Sequence, residues 1–360
     1  MNILICIGRL YMGGIEKYAI DLALGLKNKG HNVHLLVFFQ ILNNEKKEFL
    51  LNEGIILHEL HLKSGRDLRL PFRFGKLLLR LKPDVIHLNI LPLLAALPLV
   101  FFRKKTVYTI HQIANNRFIA KIYSFVINGV IGISKNVKEI LKNRYGFFQN
   151  NNWTIINNGV LLSDTKIPDY LSGTVNLVMV SRLAQDKQPD HAIEILNYLN
   201  NNSKLDYELT FVGNGDVDDD NYMEMLKQKV SNYGLDDKVH FVGWHENVSD
   251  YLLRSHGFLM LSRLECFPYS VIEAITYGIP IFSYKIEGGL HDLHINGVTG
   301  IVCDKNDPVN LALEIDNVFI DPSKWKNFRD QAFNNSKSFS IEKMVNETEH
   351  FYLQLLDRLK

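Results

Sequence analysis

The chain has 360 residues, 46% hydrophobic, 22% charged and 11% aromatic, which excludes collagen, coiled-coil and globally disordered proteins and, at ~100–200 residues per domain, sets about two domains. The net charge of +1 hides an asymmetry, because residues 1–170 hold 23 Lys and Arg against 11 Asp and Glu while the other 190 hold 17 against 28. Either the halves differ by compositional drift and attract one another, or the basic half meets an anionic partner.

Met1 and Asn2 run straight into ILICIG (3–8), with no positive region before it and no small-residue cleavage site behind it, so export is not expected. Further apolar, β-branched runs follow as strands: VHLLVFF (33–39), IILHEL (55–60), VIHLNI (85–90), TVYTIH (106–111), VIGIS (130–134) and WTIINN (153–158). The longest apolar run, Ile90 to Phe102, has 13 residues with two prolines inside, short of the ~20 that cross a bilayer. GVLLSDTKIPDYLSGT (159–174) carries Pro, Gly, Ser and Asp without a period, which places a linker at 161–174 between domains at 1–160 and 175–340. The second domain repeats the pattern with VNLVMVS (175–181), ELTFVG (208–213), VHFVG (239–243), GFLMLS (257–262), IPIFSY (279–284) and TGIVC (299–303). Strands alternating with helix-period stretches indicate two parallel α/β sheets. Beyond Asp304 only helical pattern remains, and a helix at about 341–360 is long enough to return to the first domain. Cys6, Cys266 and Cys303 are too few and too far apart for a disulfide framework or a CxxC site, so a reducing cytoplasm is the expected compartment.

Ligands of wound parallel sheets sit beyond the carboxyl ends of strands, where helix N-termini point. After the first strand, Gly13 and Gly14 precede a helix and let a phosphate or a second backbone approach, although G-x-G-x-x-G is absent and a plain loop fits equally well. In SRLAQDKQPD, Arg182 and Lys187 stand five apart on a turn and suit a diphosphate, with an ordinary pair of surface cations as the alternative. FVGNGD places Asn214 between Gly213 and Gly215 in a tight turn. In SRLECFPYSVIEAI a loop carries Glu265, Pro268 suits the start of a helix, and Phe267, Tyr269 and Ser270 can aim backbone N–H groups at an anion. Glu273 lies on that helix and, eight residues from Glu265, faces the same site from another height. Gly288-Gly289 suggest a backbone-lined pocket, and Gly297 and Gly300 a hairpin-like turn. Asp218, Asp219 and Asp220 read as a solvated helix start rather than a magnesium site, and no cluster suggests a metal. His111 ends a strand at a favoured catalytic position, with a structural histidine as the ordinary alternative.

From GGIEKYAIDLALGLKNKGHNV through INNGV, SRLAQDK, FVGNGD, VHFVGW and ECFPYSVIEAITYGIPI to GGLHDLHINGVTGIV, the chain resembles glycosyltransferase family 4 over nearly its whole length. The resemblance implies the GT-B architecture, two Rossmann-like domains facing across a cleft, and retaining transfer from a nucleotide-diphosphate sugar. It implies Arg182, Lys187 and Gly14 at the diphosphate, Glu273 at the ribose, and Glu265 and His111 at the sugar. Ser181 and Gln188 stand where the family often has glycine, and Asp292 where it has Glu. No cofactor or metal is expected, since the two cations and the helix N-terminus after Glu265 can stabilise the leaving diphosphate.

The basic half is then expected to bind a glycan or lipid-linked acceptor of cell-surface polysaccharide synthesis. Arg66, Arg69, Arg73, Lys76 and Arg80 recur every three or four residues beside an apolar face, a helix stripe suited to the inner face of an anionic membrane, and Arg103, Lys104 and Lys105 add a second cluster. A solvated outer helix is the alternative. Nucleic-acid binding is not expected, because the basic stripe has no recognition motif and no interleaved stacking aromatics on a strand. The other readings of the whole chain are a catalytically silent nucleotide-sugar binding partner of a glycan assembly, or a GT-B epimerase or phosphorylase.

Overall fold

A computed structural model describes residues 1–11, 13–113, 116–166, 173–215, 220–304 and 306–358. The chain divides into two compact units, Met1–Gly159 with Ser340–Lys360, and Val160–Phe339. The segment 161–174 falls within the second unit by this division, and its residues 167–172 lie outside the described ones.

The first unit carries strands β1 (Asn2–Ile7), β2 (Asn32–Val37), β3 (Ile56–Glu59), β4 (Val85–Leu88), β5 (Thr106–Ile110), β6 (Gly129–Gly132) and β7 (Asn152–Ile155) in the order β3-β2-β1-β4-β5-β6-β7. Every pairing is parallel. Ile3, Leu4, Ile5, Cys6 and Ile7 of β1 are all fully buried, which explains an unbroken apolar run where a half-exposed strand would alternate. Ile5 pairs with Leu35 on one side and His87 on the other.

The second unit carries β8 (Val175–Val180), β9 (Tyr207–Val212), β10 (Val239–Gly243), β11 (Gly257–Met260), β13 (Ile281–Tyr284) and β15 (Gly300–Cys303), in the parallel order β10-β9-β8-β11-β13-β15. Two further strands of two residues each, β12 (Leu264–Glu265) and β14 (Glu287–Gly288), pair with one another outside the main sheet. Each main sheet reverses its winding beside its first strand, between β1 and β4 and between β8 and β11. A crevice opens at the carboxyl ends of the strands at such a point.

The helix Ile341–Asp357 packs on the helix Gly14–Asn28 within the first unit. Ser340 caps it by accepting the Lys343 N–H at 3.1 Å. Two glycines let it approach: a Cβ on Gly25 would meet Val345 Cγ2 at 2.4 Å, and one on Gly129 would meet Leu355 Cδ1 at 2.5 Å. Among the described residues, no helix is long and apolar enough to cross a membrane.

Candidate active site

At the switch point of the second sheet, the loop after β8 and the loop after β11 are joined by the Arg263 N–H, which donates to the Asp186 carbonyl at 2.9 Å. This join brings Lys187 to Glu265, with Nζ donating to Oε1 at 2.7 Å and each side chain 17% exposed. Asp186, which sequence reasoning passed over, approaches both cations: its Oδ1 lies 3.7 Å from Arg182 Nη2 and its Oδ2 3.4 Å from Lys187 Nζ. Arg182 itself is exposed at the mouth of the turn. Two cations and two carboxylates thus share one crevice, and an entering diphosphate would compete with the carboxylates for the cations.

The position of Glu265 is set by backbone. It pairs with Gly288 in the β12–β14 ladder, and its carbonyl accepts the Gly289 N–H at 2.7 Å. Gly288 adopts φ 117°, and a Cβ there would lie 1.9 Å from the Glu265 carbonyl oxygen, so only glycine fits. Pro268 caps the helix Tyr269–Thr276 at its N-terminus, where the lack of an N–H costs nothing, and Ser270 and Glu273 lie on that helix, half-buried. Phe267 is buried edge-on against Phe339, with ring centroids 5.5 Å apart, so its side chain belongs to the core.

Gln188 ends the preceding turn in the left-handed region at φ 52°, a conformation that glycine adopts without strain. Its buried side chain offsets that cost with a contact to His191 at 3.2 Å, and His191 in turn reaches the Tyr284 hydroxyl at 3.1 Å. Asn214 is held from both ends, its carbonyl accepting the Leu183 N–H at 2.8 Å and its Oδ1 the Trp244 N–H at 3.0 Å. Its side chain therefore secures the turn beside the crevice. Asp218 and Asp219 lie outside the described residues.

In the first unit, Gly14 opens the helix that follows β1 and Gly13 is its N-cap. Gly13 is extended at φ 177°, and a Cβ there would meet only the mobile carboxyl end of Glu16, at 2.6 Å. His111 follows β5, its Nε2 2.9 Å from Asn89 Oδ1 just beyond β4. Asn89 Nδ2 points instead at the Cys6 carbonyl, 3.4 Å away, which leaves the amide oxygen for His111 and assigns the ring hydrogen to Nε2. Burial pulls the imidazole down to about 3, so it is neutral at pH 7 with Nδ1 as an acceptor. Tyr18 packs edge-on against the ring at 4.8 Å. Behind it runs a buried polar chain, with the Tyr18 hydroxyl 3.2 Å from Thr109 Oγ1, Thr109 Oγ1 2.7 Å from His87 Nε2, and His87 Nδ1 bonded to the Tyr352 hydroxyl of the C-terminal helix.

The basic stripe differs from the sequence expectation. The helix runs Leu70–Leu81, so Arg66 and Arg69 precede it and only Arg73, Lys76 and Arg80 lie on it. Arg69 forks onto Asp67 at 2.9 and 2.5 Å and holds that carboxyl well below the usual carboxylate range. Arg73 Nη1 donates to the Leu60 carbonyl at 2.6 Å. Two of the five cations are thereby committed within the fold, while Arg66, Lys76 and Arg80 stand exposed.

Two parallel sheets, each wound about a switch point and one of them gathering Arg182, Lys187 and Glu265 there, define a two-domain α/β enzyme of the GT-B class. The model for Glycosyltransferase Family 4 matches residues 12–164, that for Glycosyl transferases group 1 matches residues 171–335, and the chain belongs to this glycosyltransferase family. It is 23% identical to an uncharacterised glycosyltransferase of Haemophilus influenzae over 93% of this chain and 95% of that one. It is also 24% identical to CapH, a capsular polysaccharide biosynthesis glycosyltransferase of Staphylococcus aureus, over 78% and 80% of the two chains. The crystal structure of Anabaena HepE with UDP and glucose superposes with a TM-score of 0.82 at 19% identity, covering 98% of this chain and 99% of that one.

Proposed function

We propose that this glycosyltransferase is a retaining, metal-independent hexosyltransferase that moves a sugar from a UDP-sugar to a glycan or lipid-linked acceptor in the synthesis of a cell-surface polysaccharide, at the inner face of the membrane. The observation that carries the reading is the Lys187–Glu265 pair at the switch point, with Arg182 at its mouth. A nucleotide-diphosphate sugar needs cations for its leaving group and a carboxylate for its sugar hydroxyls, and both are present within one crevice. UDP and glucose in HepE support the donor class, and the capsule role of the Staphylococcus aureus relative supports the acceptor class.

In the reaction the bond from the anomeric carbon to the diphosphate oxygen breaks, and the electron pair leaves with the phosphate. Arg182 and Lys187 neutralise that charge, supplemented by the N–H groups at the start of the helix Tyr269–Thr276. Lys187 can do so only by giving up part of its bond to Glu265, whose carboxylate then accepts from sugar hydroxyls. The resemblance assigns Glu273 to the ribose, Gly14 to the diphosphate and His111 to the sugar, where a neutral Nδ1 accepts from a hydroxyl. The acceptor oxygen attacks the face the diphosphate is leaving, and its proton passes to the departing phosphate oxygen, so no enzyme nucleophile is required. The test is release of UDP from a panel of UDP-sugars with and without acceptor glycans, in EDTA, with the anomeric configuration of the product read by NMR. An inverted product, or turnover abolished by EDTA and restored by magnesium or manganese ions, would overturn the reading.

A further inference from the structure

The tethering of Arg69 and Arg73 weakens an arginine stripe as a membrane contact, and the exposed surface of the first unit shows what lies beside it. On the helix Leu70–Leu81, Phe72 and Leu79 are seven residues apart and share one face, 81% and 68% exposed. Gly75 lies between them on that face and touches the next element, a Cβ there being 3.5 Å from Pro98 Cβ. The exposed apolar face therefore borders the short helix Ala96–Leu99, where Leu97 is exposed, and continues into the following turn, where Phe101 is 88% exposed. Arg103 on that turn lies 5.1 Å over the ring of Phe125. Phe118, Lys121 and Phe125 recur at three and seven residues on the helix Arg117–Val126, and all three are exposed. A cavity of about 370 Å³ beside them is lined by Phe118, Lys121, Ser124, Tyr145 and Phe147.

Three neighbouring elements thus present outward phenylalanines that a soluble monomer has no reason to expose together. Charge names the occupant. Residues 61–127 hold 12 Lys and Arg against 2 Asp, and one of those two, Asp67, is already held by Arg69. Lys76, Arg80, Arg103, Lys104 and Lys121 are exposed around the aromatic residues. Apolar side chains ringed by cations fit a layer of anionic headgroups over hydrocarbon.

We propose that the outer face of the helices Leu70–Leu81, Ala96–Leu99 and Arg117–Val126 docks on an anionic lipid bilayer, with Phe72, Phe101 and Phe118 entering the headgroup layer. This deepens the peripheral attachment proposed above by naming the surface, and it moves the main contact from the arginines to the aromatic residues. The test is sedimentation of the full chain with phosphatidylcholine vesicles with and without phosphatidylglycerol. The wild type should sediment only with phosphatidylglycerol present. Phe72→Ser/Phe101→Ser/Phe118→Ser should lose at least about tenfold in partitioning at every salt concentration, from the loss of three buried rings. Lys76→Glu/Arg80→Glu should lose binding most at low salt, whereas Arg69→Gln should change it little. All five residues of the first two variants are exposed, so melting temperature and UDP affinity should be retained, which separates lost docking from lost folding. A wild type that ignores anionic vesicles overturns both the attachment and its surface. A triple variant that sediments like the wild type overturns the surface alone, and one that only turns a dimer into a monomer shows that a second copy covers the face instead.

Discussion

Glu265→Gln separates the two jobs that the Lys187–Glu265 pair is proposed to do. The substitution keeps the size of the side chain and removes one charge from a contact of 2.7 Å whose partners are each 17% exposed. A charge-assisted hydrogen bond of this kind is worth ~1.5–3 kcal/mol, or about tenfold to 150-fold in the quantity it controls. Glu265 is proposed to hold the sugar, so turnover should fall by about that factor. Lys187, released from the carboxylate, should meet the diphosphate more readily, so UDP affinity should stay level or rise by up to about tenfold. Lys187→Ala should do the reverse to the nucleotide, weakening UDP by about tenfold to 100-fold because the diphosphate loses a cation. The assay is calorimetric titration of UDP into both variants, paired with steady-state turnover. The signature is that UDP is weakened by Lys187→Ala and not by Glu265→Gln, and equal weakening of UDP by both would show that the pair is a structural tie rather than a charge exchanged for the donor.

Gly288→Ala should lower both melting temperature and turnover, because a Cβ 1.9 Å from the Glu265 carbonyl must push the β12–β14 ladder apart; an unchanged melt and rate would refute the packing. Asn89→Leu should lower turnover with little effect on UDP affinity, and ¹⁵N NMR should show His111 losing its single Nε2–H tautomer; retention of that tautomer would mean that Asn89 does not set it. Lys82, exposed and left-handed at φ 46° just past the helix Leu70–Leu81, should gain about 1 kcal/mol of stability as Lys82→Gly, read by denaturant midpoint, and a loss would contradict the C-cap reading. His87, His111 and His294 are each pulled down by burial to about 3. Above pH ~6.5 both folded and unfolded chains leave them neutral, and below it only the unfolded chain takes up the proton, so each should cost ~1.4 kcal/mol per pH unit as pH falls towards 3. Denaturant midpoints that stay flat between pH 7 and 5 would contradict this.

All thirteen strands of the two main sheets are legible in the sequence: the central ones because burial on both faces needs unbroken apolar runs, as ILICI in β1 shows, and the half-exposed edge strands β3, β7 and β10 through short β-branched and aromatic runs. The two-residue strands β12 and β14 are too short to carry a pattern, yet their ladder aligns Glu265 with Gly288. The cations of the crevice are visible as SRLAQDK, but Asp186 between them becomes meaningful only when its carbonyl meets Arg263 from another loop. Asn89 reads as the tail of VIHLNI, and nothing in that run shows that β4 and β5, being neighbours, set it against His111. The stripe from Arg66 to Arg80 misleads because spacing gives helix phase and not commitment. Asp67 was in plain view beside Arg69, but the fork between residues two apart depends on the turn that precedes the helix.

The helix Ile341–Asp357 has a consequence for the order in which the chain acquires its structure. As a nascent polypeptide leaves the ribosome, residues 1–159 emerge first but lack the helix that fills the grooves at Gly25 and Gly129 and bonds His87 through Tyr352. The continuous unit Val160–Phe339 can be completed before that helix is synthesised. The part made first is therefore sealed last, and throughout translation it shows chaperones and proteases an unfilled apolar seam that the mature enzyme conceals.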